Sequence, residues 1–101
     1  MKKYMQHAGL IINEDVESEE GKQKIFAVVF NIDDEKLHYL NETALFLLKQ
    51  CETPLTMEEI ECNTSKIYRL DENNLKKVQE TVQKLVDIGL IECDEGEILT
   101  N

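Results

Sequence analysis

The sequence predicts an α+β domain in which a three-stranded antiparallel β-meander precedes three helices. Three observations carry that reading. IFAVVFNI at 25–32 is dense in β-branched and aromatic residues, as a strand requires. ETALFLLKQC at 42–51 repeats its apolar residues at i, i+3, i+4 and i+7, the spacing of one helix face. LTMEEI at 55–60 carries a helix start, and VDIGL at 86–90 a helix stop.

In chain order, AGLIIN at 8–13 is the first expected strand. EDVESEEGKQK at 14–24 is polar, acidic and interrupted by Gly21, and is expected to be a mobile loop. The second strand, Ile25 to Ile32, is almost continuously apolar, which predicts a central strand covered on both faces. Asp33, Asp34 and Glu35 supply turn chemistry, and Lys36 to Leu40 returns as a third strand at the sheet edge. Asn41 caps the first helix. Pro54 forbids its continuation. Thr56 and Glu59 form a capping box for a short second helix ending near Asn63, with Leu55 and Ile60 as its hydrophobic staple. The third helix runs from Glu72 to Ile88 with Asp71 as N-cap and Leu75, Val78, Val82, Leu85 and Val86 as its buried stripe. Gly89 then suits a left-handed C-cap. Leu90 to Cys93 and Glu97 to Leu99 flank Asp94-Glu95-Gly96 as a short C-terminal hairpin. The expectation is one domain over 1–101, with its core at about 8–93 and the acidic loop at 14–24.

Composition narrows function. Eleven basic residues stand against 21 acidic ones, a net charge of −10, so the chain repels nucleic-acid phosphates at long range. Cys51, Cys62 and Cys93 form no CxxC pair and lie far from both histidines, so free thiols are expected rather than a metal or redox site. MKKYMQHAGLII has no apolar stretch long enough for a signal peptide. No run approaches the ~20 apolar residues of a membrane span. A cytoplasmic protein is expected.

Catalysis is not expected. Carboxylates at this density form a solvated surface, and the Asp33–Glu35 run matches no calcium loop. His38 has no Ser or Cys nucleophile at a recognisable spacing. Only four glycines exist, none in a phosphate-binding pattern. No cofactor and no metal are implied. Three helices with a short second one, followed by a hairpin, make a winged helix-turn-helix pattern. The exposed face of the third helix, with Lys76, Lys77 and Lys84 beside Glu80 and Asp87, is only weakly basic. A DNA-binding regulator is therefore the runner-up, and a structural protein–protein module a third reading.

The run YLNETALFLLKQCETPLTMEEI, a polar spacer and then LKKVQETVQKLVDIGLIE resemble the PqqD-like family. These are the leader-peptide recognition elements of ribosomally made, post-translationally modified peptides. The likeness spans about residues 25–93. It departs at Cys51-Glu52-Thr53-Pro54, where the family often has an Asp-Gly turn, and at the acidic segment 14–24. The resemblance implies a non-catalytic module that takes a precursor's leader as an added strand and presents it to a modifying enzyme, often a radical S-adenosylmethionine protein. Carried onto this chain, it implies a peptide edge at Leu37, His38, Tyr39 and Leu40. The facing helix wall would comprise Lys77, Val78, Thr81, Val82, Lys84 and Leu85. Lys77 and Lys84 would meet acidic leader residues. A monomer is expected, with dimerisation through the same edge as its competing use.

Overall fold

The computed structural model describes residues 1–94. The chain runs β1 (Lys3–Gln6), β2 (Leu10–Glu19), β3 (Lys22–Asn31), β4 (Lys36–Asn41), α1 (Glu42–Gln50), α2 (Met57–Ser65), α3 (Glu72–Asp87) and β5 (Ile91–Asp94). The three-stranded antiparallel sheet has the order β2-β3-β4, and β1 pairs with β5 in a separate two-stranded sheet.

The segment expected to be a loop at 14–24 is instead the far half of the β2–β3 hairpin. Glu19 pairs with Lys22 and Glu17 with Lys24, so opposite charges face across the strands, and Val16 pairs with Ile25. The two-residue turn is Glu20-Gly21, with φ of 52° and 79°. That double left-handed geometry suits the twist of a tight hairpin, with Glu20 where Asn or Asp is usual. The first strand therefore extends from Leu10 to Glu19, and the second begins at Lys22 rather than Ile25. Because β4 pairs only with Phe26–Asn31, and Phe26 faces Asp15 on β2, residues 16–25 project as a two-stranded arm.

β3 is central but covered on one face only. Ala27, Val29 and Asn31 are buried, whereas Phe26, Val28 and Phe30 on the opposite face are only half-buried. The physical reason is that all the helices lie on one side of the sheet; α1 packs against β3 and β4 there. Apolar continuity reflects the outer face's composition, not a second layer. The core gathers Leu40, Leu45, Leu47, Leu48, Ile60, Val78, Val82, Leu85 and Leu90 around that inner face.

The helix termini follow the local sequence. Asn41 accepts from Ala44 N–H, and Asp71 accepts from Asn74 N–H. Thr56 and Glu59 form both halves of the capping box, though α2 continues to Ser65, two residues past its expected end. After α3, Leu90 N–H donates to Leu85 C=O and Gly89 N–H to Val86 C=O, with Gly89 at φ 85°. This is a Schellman motif.

Leu90–Cys93 does enter a strand, but its partner is the N-terminal segment KYMQ. The expected second hairpin arm, Glu97–Leu99, lies outside the described residues. β1 is anchored to the rest of the fold: Tyr4 exchanges both backbone hydrogen bonds with Leu55, Gln6 N–H donates to Cys51 C=O, and just past the strand His7 N–H donates to Leu90 C=O. No helix among the described residues is long and apolar enough to cross a membrane.

Candidate functional site

Among the described residues the outer edge of β4 has no strand partner, and local backbone geometry fixes which of its groups point there. Asn31 C=O accepts from Glu35 N–H in the β3–β4 turn, while Ile32 N–H donates to Gly9 C=O on the β2 side. Backbone groups alternate sides along a strand. Asn31, Val29 and Ala27 therefore turn theirs toward β4, where they face Lys36, His38 and Leu40. Leu37 and Tyr39 must then turn their N–H and C=O groups outward, to the open edge. Four backbone groups are presented there, two donors and two acceptors.

Beside this edge stands α3. A cavity of about 190 Å³ lies between them, lined by Tyr39, Leu40 and Asn41 on one side and Thr81, Lys84, Leu85 and Ile88 on the other, with Ala44 in its wall. A second cavity of about 350 Å³ follows the same helix toward its N-terminus, with Lys77, Val78 and Thr81 facing Arg69, Tyr68 and Thr43. Thr81 belongs to both. Lys77, Thr81 and Lys84 thus form one helix face that runs past both cavities at i, i+4 and i+7.

The ten residues singled out from the sequence divide into groups. Tyr39, Leu40, Thr81, Lys84 and Leu85 meet at the smaller cavity, and Lys77 and Val78 at the larger. Val82 is fully buried and lines neither cavity; Leu85 and Val78, at 2% and 5% exposure, offer only their rims. Leu37 lines neither of these cavities; its side chain, 65% exposed, stands on the outer sheet face with Tyr39. His38 turns inward opposite Val29, and its Nε2 is covered without a hydrogen-bond partner. Ala44, Ile88 and Arg69 were not anticipated. Ala44 had a signal, a small residue on the first turn after the strand, where a neighbouring chain needs room.

A separate polar cluster braces the β3–β4 turn. His7 Nδ1 lies 2.5 Å from Glu92 Oε2, and Nε2 contacts Asp33 Oδ2. The hydrogen bond to Glu92 and then that to Asp33 hold its pKa above the ordinary imidazole value. Asn31, 3% exposed, accepts from Asp33 N–H and reaches toward Gly89 C=O, tying the same turn to the end of α3. Burial pushes the Cys51 thiol up to about 11, which keeps it protonated and unreactive. Among the described residues, no group of three or more His, Cys, Asp or Glu side chains is arranged to hold a metal ion.

The fold and edge together define a small α+β domain with one helix-flanked open strand. Comparison of the chain with models of protein families, with curated proteins and with solved structures found no match.

Proposed function

We propose that the protein is a non-catalytic peptide clamp of the winged-helix, PqqD-like kind. It binds the leader of a ribosomally made precursor as a strand added to β4 and presents it to a modifying enzyme. The observation that carries this reading is the outward pair Leu37 and Tyr39 lying beside a cavity and a Lys-Thr-Lys helix face. Strand addition needs free main-chain groups for affinity and adjacent pockets for specificity.

Magnitudes say what the guest must contain. Four edge hydrogen bonds at about 1 kcal/mol net each fall short of the ~8 kcal/mol of micromolar affinity. An apolar leader side chain seated in the 190 Å³ cavity adds about 1.5–3 kcal/mol per anchor. Lys77 and Lys84 favour acidic neighbours on the guest, speeding encounter more than deepening affinity.

The test is to sequence the neighbouring genes, take the N-terminal segment of any short open reading frame found there, and titrate it into ¹⁵N-labelled protein. Amide shifts confined to Leu37–Asn41 and the Lys77–Ile88 face are expected. Shifts centred elsewhere, or none at millimolar peptide, reject the proposal.

A further inference from the structure

Among the described residues nothing covers the outer face of the three-stranded sheet, and its composition changes along its length. Register places Ile11, Phe30 and Leu37 in one row across it, then Val28 and Tyr39 with Asn13 at the β2 end, then Phe26 between Asp15 and Asn41. Ile11 is 48% exposed, Leu37 65% and Tyr39 79%, and the Phe26 and Tyr39 rings stack with centroids 6.1 Å apart. Beyond that row the same face carries only charge: Glu17, Glu19, Lys22 and Lys24 on the projecting arm. The apolar half exposes roughly 500 Å², near the upper end of the largest patch a typical monomer shows.

We propose that this face is a homodimer interface in which two copies pack sheet to sheet, related by a two-fold axis perpendicular to the strands. That axis lays apolar half upon apolar half and sends the two charged arms in opposite directions. A two-fold along the strands would instead bring both arms together, with Lys22 and Lys24 of each copy facing their counterparts. Doubling the patch gives roughly 1,000 Å² of apolar contact before the rim is counted, the size a specific interface requires. Face-to-face packing of half-exposed sheets about 10 Å apart is the usual way to cover such a surface. Each copy carries a net charge of −10, so the contact is opposed by repulsion and driven by apolar burial. The interface uses the sheet's face and leaves the main-chain groups of the β4 edge open, sharing only the Tyr39 side chain with the cavity beside α3.

Two measurements test it. Sedimentation equilibrium of the intact chain should show a monomer–dimer equilibrium that tightens as NaCl rises from about 50 to about 500 mM, because salt screens the repulsion. Ile11→Glu, on the strand farthest from β4, should loosen the dimer at least about tenfold while thermal unfolding shows the fold intact. A monomer at every concentration and salt, a dimer that weakens with salt, or a dimer indifferent to Ile11→Glu overturns the proposal. The geometry is read separately with a spin label at Glu19→Cys, Cys62 and Cys93 being replaced by Ser. Six residues of strand separate the arm tip from the axis at Val28, so the labels should lie roughly 40 Å apart. Labels within roughly 20 Å would place the arms together and reject the arrangement.

Discussion

Two adjacent prolines test whether the β4 edge is free. Tyr39 N–H faces outward, whereas His38 N–H faces Val29, which is fully buried in the central strand. Proline on an edge strand is tolerated where its missing N–H pointed to solvent. Tyr39→Pro should therefore unfold within about 1 kcal/mol of Tyr39→Ala, the control that removes the same side chain. His38→Pro removes a ladder donor and leaves a buried carbonyl on Val29 without its partner, at a cost of about 1–3 kcal/mol relative to His38→Ala. For a domain of this size that is a fall in Tm of roughly 5–20 °C, read by circular dichroism melts of the four variants. Binding should invert the ranking. Among the folded variants, Tyr39→Pro should hold the leader roughly fivefold more weakly than Tyr39→Ala, the equivalent of one main-chain bond. If both prolines destabilise equally, the Tyr39 amide is not free and strand addition to β4 loses its basis.

Thr81→Trp should fill the junction between the two cavities beside α3 and abolish leader binding, with Tm within a few degrees of wild type because Thr81 lies outside the buried stripe; unchanged affinity by fluorescence anisotropy would remove α3 from the site. Thr56→Ala breaks the capping box of α2 and should cost about 1 kcal/mol, a Tm drop of roughly 4–8 °C. His7 is held more basic in the fold than in the unfolded chain, so its contribution is complete below pH ~6.5 and disappears as pH rises through the elevated folded value. Urea titrations should accordingly show wild type losing its advantage over His7→Gln as pH climbs above ~6.5, and a pH-independent difference would show that the Glu92 and Asp33 contacts do not stabilise the charged imidazole.

What the sequence disclosed was local, and what it hid depends on distant partners. The caps at Asn41, Thr56, Asp71 and Gly89 each satisfy backbone groups within a few residues, so their letters are enough. β1 and β5 have four residues each, and Tyr4 meets Cys93 from the other end of the chain. No window of sequence contains that pairing. The arm was hidden for a different reason. Glu, Ser and Lys have poor strand propensity, and their fitness appears only once Glu17 is set against Lys24 and Glu19 against Lys22. At the candidate site, the edge position of β4 followed from strand order, but the facing of its side chains did not. Leu37 and Tyr39 look like groove residues by hydropathy, yet alternation turns both toward the outer face, where Tyr39 still lines the cavity beside α3 and Leu37 does not, and leaves Leu40 and His38 inside.

Of the sheet's two lateral edges, only one is suited to a guest. β2 is the longer, but Glu14, Asp15, Glu17 and Glu19 fall along it, and charged side chains are a standard defence of an exposed strand. An acidic peptide approaching that edge meets four carboxylates, only one of which, Glu14, has its charge met by a salt bridge from the helical layer, to Lys49 at 2.7 Å. β4 carries no carboxylate between Lys36 and Asn41, and Lys77 and Lys84 stand across the adjoining cavities. Under the proposed function, the same acidity that disfavours pairing of β2 with a second copy of itself would direct an acidic guest to β4. Replacing Glu17 and Glu19 with Gln, which removes the charge without setting Lys against Lys24 and Lys22, should open a second, competing strand-addition site on β2. A leader stoichiometry that rises above one per chain by calorimetry would show that charge, rather than strand length, selects the edge.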